Sequence, residues 1–150
     1  MEITFTILGD PKAQKRHRTY TKGKGGRPLP FARQVDPSAT DKADFLAQCR
    51  QYAPEAPLTG PLKLTVAFAF PRPKSHYRTG KHAGELRTDR PVWHIKKPDE
   101  DNCLKMVKDA MNRVFYRDDS QVCFAVVRKF YTDLTPFTVV QLEELSNETA

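Results

Sequence analysis

The stretch KKPDEDNCLKMVKDAMNRVFYRDD, Lys96 to Asp119, organises the reading of the whole chain. Lys96-Lys97-Pro98-Asp99-Glu100-Asp101-Asn102 leads into an amphipathic run that ends near Phe115, and Tyr116-Arg117-Asp118-Asp119 follows. Leu104, Val107, Ala110, Met111 and Val114 recur at three- and four-residue steps, the spacing of one buried helical stripe. Asp101, Lys105, Lys108 and Asn112 fall on the other face, with Asp101 and Lys105 one turn apart. The spacing predicts a helix over 101–115 with an acidic cluster at each end.

Those clusters are unusual because the rest of the chain is basic. The 150 residues carry a formal charge of +7 and a pI of about 9.4. Residues 133–150 hold Asp133, Glu143, Glu144 and Glu148 and no Lys or Arg. All 25 basic residues therefore lie in 1–132 against 14 acids, a local charge of +11. This balance favours an anionic partner, of which nucleic acid is the commonest, and argues against contact through the C-terminal segment. With 39% hydrophobic residues the chain is long and apolar enough for one folded domain over 1–150. Cys49, Cys103 and Cys123 form no C-x-x-C pair, and the four histidines add no zinc-finger spacing. An odd cysteine count without a leader sequence points to a reducing, cytoplasmic setting. No apolar run reaches the roughly 18 residues of a membrane span, and no organic cofactor or internal repeat is indicated.

Outward from the helix, Leu62 to Phe70 alternates as the clearest strand, with Leu62, Leu64, Val66, Phe68 and Phe70 on one face. Val122 to Tyr131 is apolar on both faces, which predicts a central strand. Phe137 to Leu142 returns as a further, antiparallel strand. Near the start, Ile3, Phe5 and Ile7 mark a half-buried strand over 2–8. Ser38 or Thr40 can cap a helix running to about Tyr52, with Ala43, Leu46, Ala47 and Cys49 as its apolar set. Two basic segments remain. Residues 11–34, with three glycines and three prolines, read as a mobile loop whose cations and interleaved Tyr20 and Phe31 suit backbone-phosphate contact. Residues 71–97 form a second long basic loop. Its Trp93 could stack on a base, although a lone Trp more often packs on its own domain. A polar, frayed tail is expected over 145–150. The expected fold is α+β: a small mixed sheet with two helices on one face, in the order β-α-β-(long loop)-α-β-β.

An aspartate at a helix start is most simply a cap, and Asp118-Asp119 is most simply a turn. Three adjacent carboxylates repel, however, unless lysines or a divalent cation neutralise them. A helix of about 14 residues would hold the two acidic clusters roughly 20 Å apart. They could meet if the helix is shorter, or across a dimer.

The unit Lys97-Pro98-Asp99-x-Asp101-Asn102-x-x-Lys105, followed by Asp109-Ala110 and by Asp118-Asp119-Ser120-Gln121-Val122, resembles the RusA family of Holliday-junction endonucleases, common in bacteria, prophages and phages. The basic Lys12-Ala13-Gln14-Lys15-Arg16-His17-Arg18 after a first strand is similar to many members. The resemblance runs in order from about residue 2 to 143. It implies that Asp99, Asp101 and Asp119 bind Mg²⁺ or Mn²⁺ and that Lys105 sits beside the scissile phosphate. It also implies a homodimer acting on four-way DNA junctions. Lys12, Lys15, Arg16, Arg18, Lys96 and Lys97 are the candidate DNA contacts.

The residue chemistry is compatible with those roles. Mg²⁺ takes hard oxygen ligands and retains waters, so two or three carboxylates suffice. A lysine at the phosphate stabilises charge that develops in the transition state. Two other readings use the same residues: a non-catalytic, structure-selective nucleic-acid-binding module, and a ribonuclease of similar chemistry.

Overall fold

Leu62, Leu64, Val66 and Phe68 are fully buried, and the strand that carries them lies inside the sheet. The computed structural model describes residues 1–148. The elements are β1 (Glu2–Leu8), β2 (Arg18–Lys22), β3 (Pro28–Val35), α1 (Ala39–Cys49), β4 (Leu62–Pro71), α2 (Glu100–Met111), β5 (Val122–Thr132) and β6 (Phe137–Glu144). The main sheet has the order β1-β6-β4-β5. β4 pairs in parallel with β5, and the chain crosses between them through α2. β6 lies antiparallel to both β4 and β1.

One hydrophobic core unites the large face of β4 with Phe5 and Ile7 of β1, Val140 and Leu142 of β6, and residues of both helices. The expected α+β class, a mixed sheet with two helices, is what forms. Each fully buried large side chain in it contributes about 1.5–3 kcal/mol. α1 buries Phe45 and Cys49, whereas Ala43 and Ala47 of the expected apolar set are exposed. The bulkiest side chain sets the face, and Phe45 reaches Phe5 at 6.4 Å between ring centroids. α2 buries Cys103, Met106, Val107, Ala110 and Met111, so its stripe is turned slightly from the expected one.

α2 is also shorter than the spacing predicts. Asn112 is extended and Arg113 adopts φ 66°, which ends the helix at Met111. Phe115 and Tyr116 are thereby turned into full burial. The Tyr116 hydroxyl donates to the Lys108 carbonyl at 2.7 Å, and burial pushes its ionisation well above the usual range.

Two further expectations are corrected. β5 is an edge strand, not a central one. Its second apolar face is left open, with Phe124 51% exposed. Residues 18–35, expected within a mobile loop, instead form the antiparallel hairpin β2–β3, a separate two-stranded sheet. β2 is exposed throughout.

The segment between β4 and α2 is pinned along the body. Arg72 pairs with Asp133 and donates to the Pro91 carbonyl at 2.7 Å. The His94 N–H donates to the Lys129 carbonyl at 3.1 Å, and the Tyr131 N–H donates to the Val92 carbonyl at 2.9 Å. Trp93 does not pack into the domain; it stays 58% exposed. After β6, the Leu145 N–H donates to the Pro61 carbonyl at 2.8 Å, so the tail begins one residue later than expected. Residues 149–150 of that expected tail lie outside the described part.

Candidate active site

Asp99 occupies the position just before α2, and Asp101 lies in its first turn. Acids are favoured there by the partial positive charge at a helix N-terminus. Asp99 nevertheless makes no side-chain cap hydrogen bond. Asp101 accepts only from the adjacent Asn102 N–H, at 2.9 Å. Both carboxylates are exposed, and among the described residues neither joins an ion pair. Lys105, one turn on from Asp101, is exposed on the same side of the helix.

A cleft of about 750 Å³ opens beside this turn. Lys97, Asp99 and Asn102 at the entry to α2 line it together with Lys12, Lys15 and Arg16 of the segment after β1 and Asp41 of α1. The Gln14 N–H, donating to the Asn102 carbonyl at 2.9 Å, ties the segment after β1 to the start of α2. A knot around Asp36 anchors the same segment to α1. Asp36 accepts from Lys42 Nζ at 2.6 Å, from the Ser38 N–H at 2.9 Å and from Gln14 Nε2 at 3.0 Å. The Lys42 ammonium holds the Asp36 carboxyl down at about 2, helped by Ser38 and Gln14 and opposed by burial. Lys42 also lies 3.4 Å from Asp109 of α2. Ser38 stands at the N-cap of α1 without capping it. Its hydroxyl accepts instead from the Lys15 N–H, at 2.8 Å.

The second acidic pair divides its duties. Asp118 caps the short turn Asp119–Gln121: its carboxylate accepts from the Ser120 N–H at 3.1 Å, and its own N–H donates to Gln121 Oε1 at 2.9 Å. The Ser120 hydrogen bond, reinforced by Arg113 and Lys108, keeps the Asp118 carboxyl below its usual value. Gln121 Nε2 in turn donates to the carbonyls of Leu58 and Gly60, both at 2.9 Å. Asp119 is left half-buried beside Tyr116, with no carboxylate hydrogen bond among the described residues.

The two acidic groups therefore occupy opposite ends of α2. Asp99 and Asp101 act on Cys103 in the first turn, whereas Asp118 and Asp119 act on Tyr116 beyond the last. Twelve helical residues span about 18 Å. Among the described residues no three His, Cys, Asp or Glu side chains gather as a metal would require. Of the candidate set, Asp99 and Asp101 share the N-terminal end of α2 in one chain, and Asp119 follows its C-terminal end. The candidate DNA contacts Lys12, Lys15, Arg16 and Lys97 border the cleft, while Arg18 begins the hairpin and Lys96 precedes the cleft wall.

Exposed carboxylates beside a cleft bordered by lysines and arginine, in an α+β fold, are compatible with a protein that acts on an anionic polymer. The family model for endodeoxyribonuclease RusA matches residues 9–143, and the chain belongs to that family. It is an endonuclease family acting on DNA, and its nucleases generally depend on a divalent metal. The chain is also 36% identical over 152 residues to "Uncharacterized protein YqaN" of Bacillus subtilis (strain 168), covering 96% of this chain and 97% of that one.

Proposed function

We propose that this protein is a Mg²⁺- or Mn²⁺-dependent endonuclease that cuts four-way DNA junctions as a homodimer with two shared sites. The observation that carries the reading is that Asp99 and Asp101 of the motif stand exposed at the start of α2, with Asp99 lining the cleft among Lys12, Lys15, Arg16 and Lys97, and that Lys105 is exposed one turn further on. Two carboxylates there that join no ion pair among the described residues, with hard oxygen donors and open access, fit a divalent ion. When bound, the ion supplies Lewis-acid polarisation of the phosphate and a more acidic water. Lys12, Lys15, Arg16 and Lys97 hold the strand by its phosphates. Lys105 stabilises the charge that develops on the scissile group.

Asp119 is the third carboxylate in this proposal, because Asp118 is already committed to its turn. A second copy supplies it. β5 runs antiparallel to α2: its start adjoins Asp119, and Lys129 near its end reaches the carbonyl of Pro98, just before α2. Among the described residues its outer edge is covered only near Lys129–Tyr131, by Val92 and His94. Cys123, Phe124 and Ala125 are exposed. Open apolar edges of this kind favour pairing with another chain. Two β5 edges lying antiparallel about a two-fold axis would carry Asp119 of the partner subunit toward Asp99 and Asp101. A two-fold dimer also suits the approximate two-fold symmetry of a four-way junction.

Subunit mixing tests this directly. Asp101→Asn and Asp119→Asn homodimers should each be inactive on a synthetic junction with Mg²⁺. Mixed and re-equilibrated, they should regain nicking, because a mixed dimer contains one wholly intact shared site. Inactivity after verified subunit exchange would exclude sharing. Junction binding by the wild type without cutting under any divalent ion would favour the non-catalytic module, and cutting of duplex RNA alone would favour a ribonuclease.

A further inference from the structure

We infer that Lys129 is a positioning residue: a half-buried ammonium that fixes the backbone entering Asp99, and not a DNA contact. The inference rests on the metal-dependent nuclease reading above and deepens it. By register Lys129 lies opposite Phe68, on the helix-covered face of the sheet, and is half-buried there. An ammonium has three donors and no acceptor. Lys129 directs its donors to three neutral acceptors: the Pro98 carbonyl at 2.6 Å, the Lys96 carbonyl at 2.9 Å and His94 Nδ1 at 3.3 Å. His94 is itself buried, stacked on Phe70 at 3.9 Å between ring centroids.

All three acceptors belong to the segment that delivers Asp99, and one is the carbonyl immediately before it. Among the described residues no carboxylate pairs with Lys129, so its charge is not spent on an ion pair. The charge instead faces the start of α2: Lys129, Asp101, Asp99 and Glu100 all act on the buried Cys103 thiol. One side chain thus sets the path of the backbone below the first carboxylate and offsets the mutual repulsion of the acidic turn. Arginine keeps the charge, but its planar fork cannot meet three convergent acceptors in the same way.

Groups that orient metal ligands typically cost about 10- to 100-fold in metal affinity when removed. Lys129→Met and Lys129→Arg should therefore weaken Mn²⁺ binding about 10-fold or more, read from the free-ion electron paramagnetic resonance signal. Junction affinity in metal-free buffer should stay within about 2-fold, as expected for a residue that does not touch DNA. Equal loss of junction affinity would make Lys129 a DNA contact and overturn the inference. A lowered Tm with unchanged Mn²⁺ binding would make it a core residue and overturn it as well. If the methionine variant does not fold, the arginine variant decides, and failure of both to fold counts for the core role. Wild-type protein that neither binds Mn²⁺ nor cuts junctions would remove the nuclease reading together with this one. Normal wild-type behaviour with unaffected variants removes this one alone.

Discussion

Asp36→Asn tests how the cationic wall is held. The substitution keeps an oxygen for the Ser38 N–H but removes the charge that faces Lys42. In the folded protein the Asp36 carboxyl lies at about 2, against an ordinary 3.8. At 1.36 kcal/mol per unit, that depression corresponds to about 2 kcal/mol. The side chain is 23% exposed, so solvent screening lowers the expected value to about 1–2 kcal/mol. Because the folded value is depressed, the stabilisation is complete above the unfolded value of about 4. It is lost as pH falls toward about 2. Urea unfolding of wild type and variant should therefore differ by about 1–2 kcal/mol at pH 7, with the gap narrowing between pH 4 and pH 2.5. Junction affinity should fall at the same time, since Gln14 and Lys15 lose part of their anchor. A gap that is the same at pH 7 and pH 2.5 would refute an ionic origin. No stability gap at pH 7 together with an unchanged affinity would show that the knot does not hold the wall.

Other expectations are narrower. Asp101→Asn should abolish Mg²⁺-dependent junction cutting while binding, measured by gel shift, persists or strengthens; retained cutting would remove Asp101 from the site. Lys105→Ala should lower the single-turnover rate about 10²- to 10³-fold with a smaller loss of affinity, and equal losses would argue for a binding role. Phe124→Lys on the open edge of β5 should yield a monomer by sedimentation with wild-type Tm and no cutting, and a dimer of unchanged activity would move the interface elsewhere. Val107→Ala in α2 should cost about 1–3 kcal/mol by urea unfolding, since the side chain is fully buried; a change near zero would mean the site collapses around the loss.

The strands that bury one face were legible in the sequence because burial imposes a period of two. Leu62 to Phe70 and Ile3 to Ile7 announce themselves in this way. The hairpin β2–β3 was not legible for the same reason: it buries almost nothing, so no alternation marks it. β5 misled because apolar residues on two faces look like burial from both sides, whereas one side is open. In α1 the small residues Ala43 and Ala47 diluted the period that Phe45 and Cys49 define. The acidic turn of α2 and its neighbouring lysine were visible as a motif. The groups that hold that turn were not. Asp36, Ser38 and Lys129 act through hydrogen bonds that reach residues 22 to 35 positions away, and no local pattern encodes such contacts. Gln121 was seen as part of a motif, but its double tie to Leu58 and Gly60 explains why glutamine serves there.

The length of α2 bears on dosage. With Asp119 about a helix length from Asp99 and Asp101, a solitary copy under the shared-site proposal holds only fragments of two cutting centres. Scission would then rise with the square of protein concentration while copies are scarce and become linear once they are plentiful. A cell making a trace of the protein would carry an inert passenger, and its chromosome would be exposed only after enough had accumulated for copies to find one another.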